Sequence, residues 1–131
     1  GYWKNHTGCR RHNDMVSQYL PLWLGDPNAM RSVRVNGRFH ARLILSQRVG
    51  HPRNGITKLR AQLLAAKLNI AAGADDSEIA DVVSQADSFL ADHWILSWHK
   101  LSRPAKKQVL AWKDQLDAYN NGEIGPGHCD D

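Results

Sequence analysis

The chain has 131 residues, 42% of them apolar and 23% charged, with a formal net charge of +4. That length supports one domain with a core of its own, needing neither a metal nor many disulfides. No run approaches the roughly 18 uncharged apolar residues of a membrane span; the longest candidate, Ala61 to Ala66, is far too short. No repeat, low-complexity tract or Pro/Gly/Ser-rich linker divides the chain. The first residue is Gly1 rather than a methionine, as expected after cleavage of a leader or excision of a domain.

Charge is unevenly placed. Between Pro27 and Ala74 there is no Asp or Glu, while Arg31, Arg34, Arg38, Arg42, Arg48, Arg53, Lys58, Arg60 and Lys67 all fall there. The sign then reverses, with Asp75, Asp76, Glu78, Asp81, Asp87 and Asp92 and no Lys or Arg before Lys100. Nucleic-acid binding would need the basic stretch to be left free. The abrupt reversal favours an acidic helix that lies near the basic half and neutralises part of it.

The elements follow in chain order. After an aromatic-bearing loop, a short helix is expected from about Asn13 to Leu20, capped by Asn13 and ended by Pro21. Gly25-Asp26-Pro27-Asn28 is a turn-forming stretch. Val33-Arg34-Val35-Asn36-Gly37-Arg38-Phe39 alternates around an Asn-Gly pair, making 33–39 a small β-hairpin candidate. A helical segment through Leu43, Ile44 and Leu45 follows, up to Gly50 and Pro52. Ile56 to Ala72 carries apolar residues over so wide an arc that it reads as a central helix, stopped by Gly73. Asp75-Asp76-Ser77-Glu78 supplies an acidic helix start. Ile79, Val82, Val83, Ala86, Phe89 and Leu90 then recur at the spacing of a buried face. Ser102 and Pro104 open a last helix, with Val109, Trp112, Leu116 and Tyr119 on one stripe ending at Asn120-Asn121-Gly122. The fold class is mainly α: a single helical domain over 1–131, a compact bundle of four to five helices with the small hairpin and with its termini joined by a disulfide.

The chemistry-bearing residues concentrate at the two ends. Cys9 and Cys129 are the only cysteines. As flanks of a helical domain they suit a terminal staple, to which the loop-entropy model credits about 4–5 kcal/mol, and which implies an oxidising compartment. Zinc is the rival. His6, Cys9, His12, His128 and Cys129 include the ligand types of a tetrahedral site, although the adjacent pair His128-Cys129 is poorly spaced to reach one ion. A calcium-loop reading of 117–128 fails, because Tyr119 and His128 stand where oxygen ligands are needed. No nucleophile elbow, phosphate-binding glycine loop or His-Glu-x-x-His motif is present. Trp94 and Trp98 could share one helical face as an aromatic platform, though packing against the domain is the more ordinary use.

Gly1-Tyr2-Trp3-Lys4-Asn5-His6, the segment Leu63 to Ala74, Leu116-Asp117-Ala118-Tyr119-Asn120-Asn121-Gly122 and Gly125-Pro126-Gly127-His128-Cys129 together resemble a widespread, uncharacterised family of secreted and surface bacterial and archaeal domains. The likeness spans the chain and is most specific at its ends. It implies an extracellular location and a disulfide, but no activity, ligand or catalytic residue. In relatives the first cysteine is expected just before the Gly-Tyr-Trp motif, whereas here it follows at Cys9.

The function expected from these residues is a non-enzymatic interaction or structural module of an extracellular or cell-surface protein, without a cofactor. Its partner would be a protein or surface assembly. Trp3, Lys4, Asn5, His6 and His128 would seal the terminal junction or form a recognition patch beside it. The alternatives are a metal-binding domain or metal-dependent hydrolase built on the terminal His and Cys residues, and a polyanion binder using the stretch from Arg31 to Arg60.

Overall fold

A computed structural model describes residues 16–122. After a 3₁₀ helix at Ser17–Tyr19, the described chain runs β1 (Leu22–Leu24), β2 (Val33–Val35), α1 (Arg38–Leu45), α2 (Gly55–Ala71), α3 (Ala80–Asp92), a second 3₁₀ helix (Ile95–Lys100) and α4 (Arg103–Gly122). The architecture is mainly helical with one small antiparallel hairpin, as the pattern predicts.

Helix α2 is the centre. Ile56, Leu59, Leu63, Leu64, Ala66 and Leu68 point in several directions from its axis and all are buried. A helix that is apolar on so many sides must be covered on those sides. Helices α1, α3 and α4, strand β1 and the second 3₁₀ helix all pack against it. Val109 and Leu116 of α4, Ala86 and Leu90 of α3, Ala41 and Ile44 of α1, and Leu24 and Val35 of the hairpin complete one core cluster.

Local chemistry sets where the elements start and stop. Asn54 caps α2, its Oδ1 accepting from the N–H groups of Ile56 at 2.9 Å and Thr57 at 3.2 Å. The Asn54 Nδ2 donates to Ile95 O at 2.7 Å, so the cap also anchors the second 3₁₀ helix. At the other end Gly73 adopts a positive φ of 107°, and the Ala74 N–H returns to Asn69 O at 2.9 Å. This is the glycine stop predicted for this helix. Ser102 Oγ accepts from the Ala105 N–H at 3.2 Å at the start of α4.

Three expectations are refined. The residues of the first predicted helix that are described form only the turn Ser17–Tyr19. The hairpin pairs Leu22 with Val35, Trp23 with Arg34 and Leu24 with Val33, so 33–35 is its second strand and its partner comes from earlier in the chain. That register buries Leu24 and Val35 together, and Asn36-Gly37 instead leads into α1, with Gly37 as an extended N-cap. The acidic start of α3 is also used differently. Asp75 accepts from the Ser77 N–H at 3.0 Å and from Ser77 Oγ at 2.9 Å, which holds its carboxyl below the usual carboxylate range. This Asx turn competes with helical backbone, and regular α-helix begins only at Ala80. Tyr119 Oη donates to Asp75 O at 2.9 Å, tying the turn to α4.

Gly55 opens α2 against the indole of Trp98. A Cβ there would fall inside van der Waals contact of three carbons of the six-membered ring. In an exposed helix Gly→Ala stabilises by up to about 1 kcal/mol. Here overlap with a half-buried indole reverses the sign, and Gly55→Ala is expected to destabilise by about 1–3 kcal/mol in urea unfolding. A stabilised variant would show that Trp98 is free to move aside.

Candidate functional site

The residues expected to carry the terminal site, namely Trp3, Lys4, Asn5, His6, Cys9, His12, His128 and Cys129, lie outside the described residues. Among the described residues no group of three or more His, Cys, Asp or Glu side chains is placed to hold a metal ion. The segment from Asp117 to Gly122 is helical to its end, and 123–128 lie outside the described residues.

Most of the basic stretch falls into three environments, with Arg38 and Lys58 half-buried. Lys67 turns inward: its Nζ donates to Trp23 O at 2.5 Å and lies 2.8 Å from each carboxylate oxygen of Asp87. This is the ion pair by which the acidic helix neutralises part of the basic half. Arg60 is buried, 6% exposed, and its Nε has no hydrogen-bond partner among the described residues. Burial pushes the guanidinium's pKa down, since desolvation disfavours the charged form. Arg60 therefore does not belong to a cationic surface. Arg31, Arg34, Arg42, Arg48 and Arg53 are exposed, and among the described residues none of them is ion-paired to a carboxylate.

Helix α1 organises the centre of this exposed group. With Ala41 and Ile44 turned into the core, Phe39 and Leu43 are carried outward one turn apart, and they are 68% and 44% exposed. Arg42 lies beside them, and the Arg38 guanidinium stacks 4.9 Å above the Phe39 ring. The result is an arginine-bearing helix face with two unburied apolar side chains.

The tryptophans do not form the single platform that their i, i+4 spacing suggested. Trp94 is extended and precedes the 3₁₀ helix that contains Trp98. In 3₁₀ geometry i and i+3 eclipse, so i+4 moves off the face. Trp98 packs on Gly55, with Lys106 Nζ 5.4 Å from its ring. Trp94 stays 44% exposed, with the Arg31 guanidinium 4.7 Å over it. Trp112 is half-buried, donating from Nε1 to Gln85 Oε1 at 2.9 Å and meeting Phe89 edge-on.

One feature escaped the sequence reading. A cleft of about 670 Å³ opens between the β1–β2 turn and α3, with Asp26 and Ala29 on one wall and Asp76, Ser84, Ser88 and Asp92 on the other. The turn is held in place by the Gly25 N–H donating to Asp87 Oδ1 at 2.9 Å and the Asp26 N–H donating to Ser32 Oγ at 2.7 Å. Gly25 is needed here, because its φ is 125° and a Cβ would overlap Ser32. The available signal was the recurrence of Ala80, Ser84, Ser88 and Ala91 along one side of α3.

The chain matches no known family model, no curated protein and no solved structure.

Replacing Arg60 by methionine separates the buried cation from the surface ones. Arg60→Met keeps most of the apolar stem and removes an unsatisfied Nε, so stability should hold or rise by about 1–3 kcal/mol. Urea unfolding measures this. A loss of several kcal/mol would mean that the guanidinium is held by an acceptor.

Proposed function

We propose that the chain is a non-enzymatic interaction module of an extracellular or cell-surface protein, closed by a Cys9–Cys129 disulfide and presenting the arginine face of α1 to an acidic protein surface. The observation that carries this reading is the placing of exposed apolar side chains beside Arg42, Arg34 and Arg48, which among the described residues have no carboxylate partner. Phe39 and Leu43 stand in solvent beside Arg42, with Arg34 and Arg48 also exposed nearby in the chain. Burying two such side chains against a partner is favourable at about 25 cal/mol per Å² of apolar surface.

The composition of this region supports a protein partner over a polyanion. Every cation from Arg31 to Arg53 is arginine, whereas Lys100, Lys106, Lys107 and Lys113 prevail in the last part of the chain. Arginine and aromatic residues are enriched in protein interfaces and lysine is depleted. The planar guanidinium can bind a carboxylate through two parallel hydrogen bonds while stacking on a ring. The compartment rests on the terminal motifs and on the staple they would form.

Two measurements test the reading. Intact mass under denaturing, non-reducing conditions should lie two hydrogens below the fully reduced value. A reduced protein retaining one zinc under native conditions would instead support the site of His6, Cys9, His12, His128 and Cys129. For the surface, a photo-crosslinking p-benzoylphenylalanine placed at position 39 should form an adduct with one acidic protein in the native extracellular setting. Arg42→Glu should remove the adduct, and the same probe at the exposed position 111 of α4 should give none. Equal adducts from both positions, or adducts with nucleic acid or polysaccharide alone, would overturn the proposed surface.

A further inference from the structure

The cleft and its rim bring opposite charges onto one side of the molecule. Ala29 lines the cleft, and the next two residues are Met30, which is fully exposed, and Arg31. On the other wall Asp92 lines the cleft, and two residues later stands Trp94, 44% exposed. Arg31 lies over the Trp94 ring at 4.7 Å, so these two flanks meet and form a single cationic, apolar rim. Directly beside that rim the cleft presents Asp26, Asp76 and Asp92, with the small side chains Ala80, Ser84, Ser88 and Ala91 along α3. Asp87, deeper in the cleft, is already committed to Lys67 and to the Gly25 N–H. It is not free to balance a second cation.

We propose that this face joins two copies of the chain in a twofold-symmetric dimer, in which the Met30–Arg31–Trp94 rim of each copy seats in the acidic cleft of the other. A twofold interface must be self-complementary, each patch meeting its counterpart twice. A cationic apolar ridge adjoining an acidic, small-residue cleft satisfies that condition about an axis through their common edge. The small side chains of α3 leave room for Met30, an unbranched side chain that adapts to irregular gaps. Trp, Met and Arg are the residues enriched in such interfaces. The acidic wall supplies the charge that Arg31 lacks, since among the described residues Arg31 has no carboxylate partner. The proposal goes beyond the partner assigned to α1, because Phe39 and Leu43 are not used and remain available in the dimer.

The test is sedimentation velocity on the full chain at concentrations up to about 100 μM, a range that reports dissociation constants weaker than micromolar. The expected result is twice the monomer mass, with dimerisation weakening as salt is raised. Met30→Glu should weaken the dimer at least about tenfold. Two further variants exploit the symmetry. Arg31→Asp places like charges at both halves of the interface, and so does Asp92→Lys; each alone should be monomeric. Mixed in equal amounts they should form a heterodimer, because each acid introduced at 31 then meets a lysine at 92 and each native arginine meets a native aspartate. All three positions are on the surface or rim, and unchanged thermal unfolding of each variant confirms folding. A wild-type chain that stays monomeric overturns the proposal, as does a dimer indifferent to Met30→Glu, or a mixture that associates no better than its components.

Discussion

The contact on which the rest of the structure depends is the burial of α2. Its apolar residues cover so much of its circumference that one neighbour could not shield them, and removing any covering element would return apolar area to water at about 25 cal/mol per Å². This requirement explains why helices, a two-stranded hairpin and a 3₁₀ helix converge on one axis. It also explains the hairpin itself, since two three-residue strands are not independently stable. Leu24 and Val35 fix the hairpin by entering the core beside α2.

Apolar burial alone would not define how the covering elements sit, because hydrophobic attraction has no direction. Polar groups at intervals along α2 supply that direction. Asn54 ties its start to Ile95. Asn120 of α4 donates from Nδ2 to Gln62 O at 3.0 Å and to Gln62 Oε1 at 2.9 Å, and its Oδ1 accepts from Asn69 at 3.1 Å. Lys67 joins α2 to β1 through Trp23 O and to α3 through Asp87, which in turn accepts from the turn after β1. Each bond contributes about 1 kcal/mol net, but a half-buried partner left alone would cost more than that. These groups therefore select one arrangement among several that would bury similar area.

Much of this arrangement was legible in the sequence, and the limits of legibility have physical causes. The extent of α2 could be read because its apolar arc and its Gly73 stop are both local. The same holds for α4, where Ser102, Pro104 and the stripe from Val109 to Tyr119 act within a turn or two. The hairpin was harder. Asn36-Gly37 is a sound turn signal, but a strand chooses its partner by which residues it can bury, and Leu22–Leu24 lay across an eight-residue connection. Trp94 and Trp98 were spaced for an α-helix, and the backbone between them is 3₁₀. The cleft was least legible, because its walls are a turn near residue 26 and a helix that begins at Ala80. Long-range ties, from Gly25 to Asp87 and through Lys67 to Trp23 and Asp87, bring them together.

The same node that organises the interior decides which charges are left at the surface. Lys67 is the cation of the basic stretch that points toward the acidic helix, and its pairing with Asp87 uses the carboxylate that also accepts from the Gly25 N–H. Arg60 is withdrawn by burial. What the stretch leaves exposed is arginine, set beside apolar side chains on α1 and again at the rim beside Trp94. An exposed Phe or Met gains nothing from water, and an arginine on a ring keeps its hydrogen-bonding edges open. Both surfaces thus carry apolar area still to be buried next to exposed arginine, and a binding partner can bury the one while meeting the other. A fold held by α2 and its polar ties can keep these side chains exposed because its own stability does not draw on them.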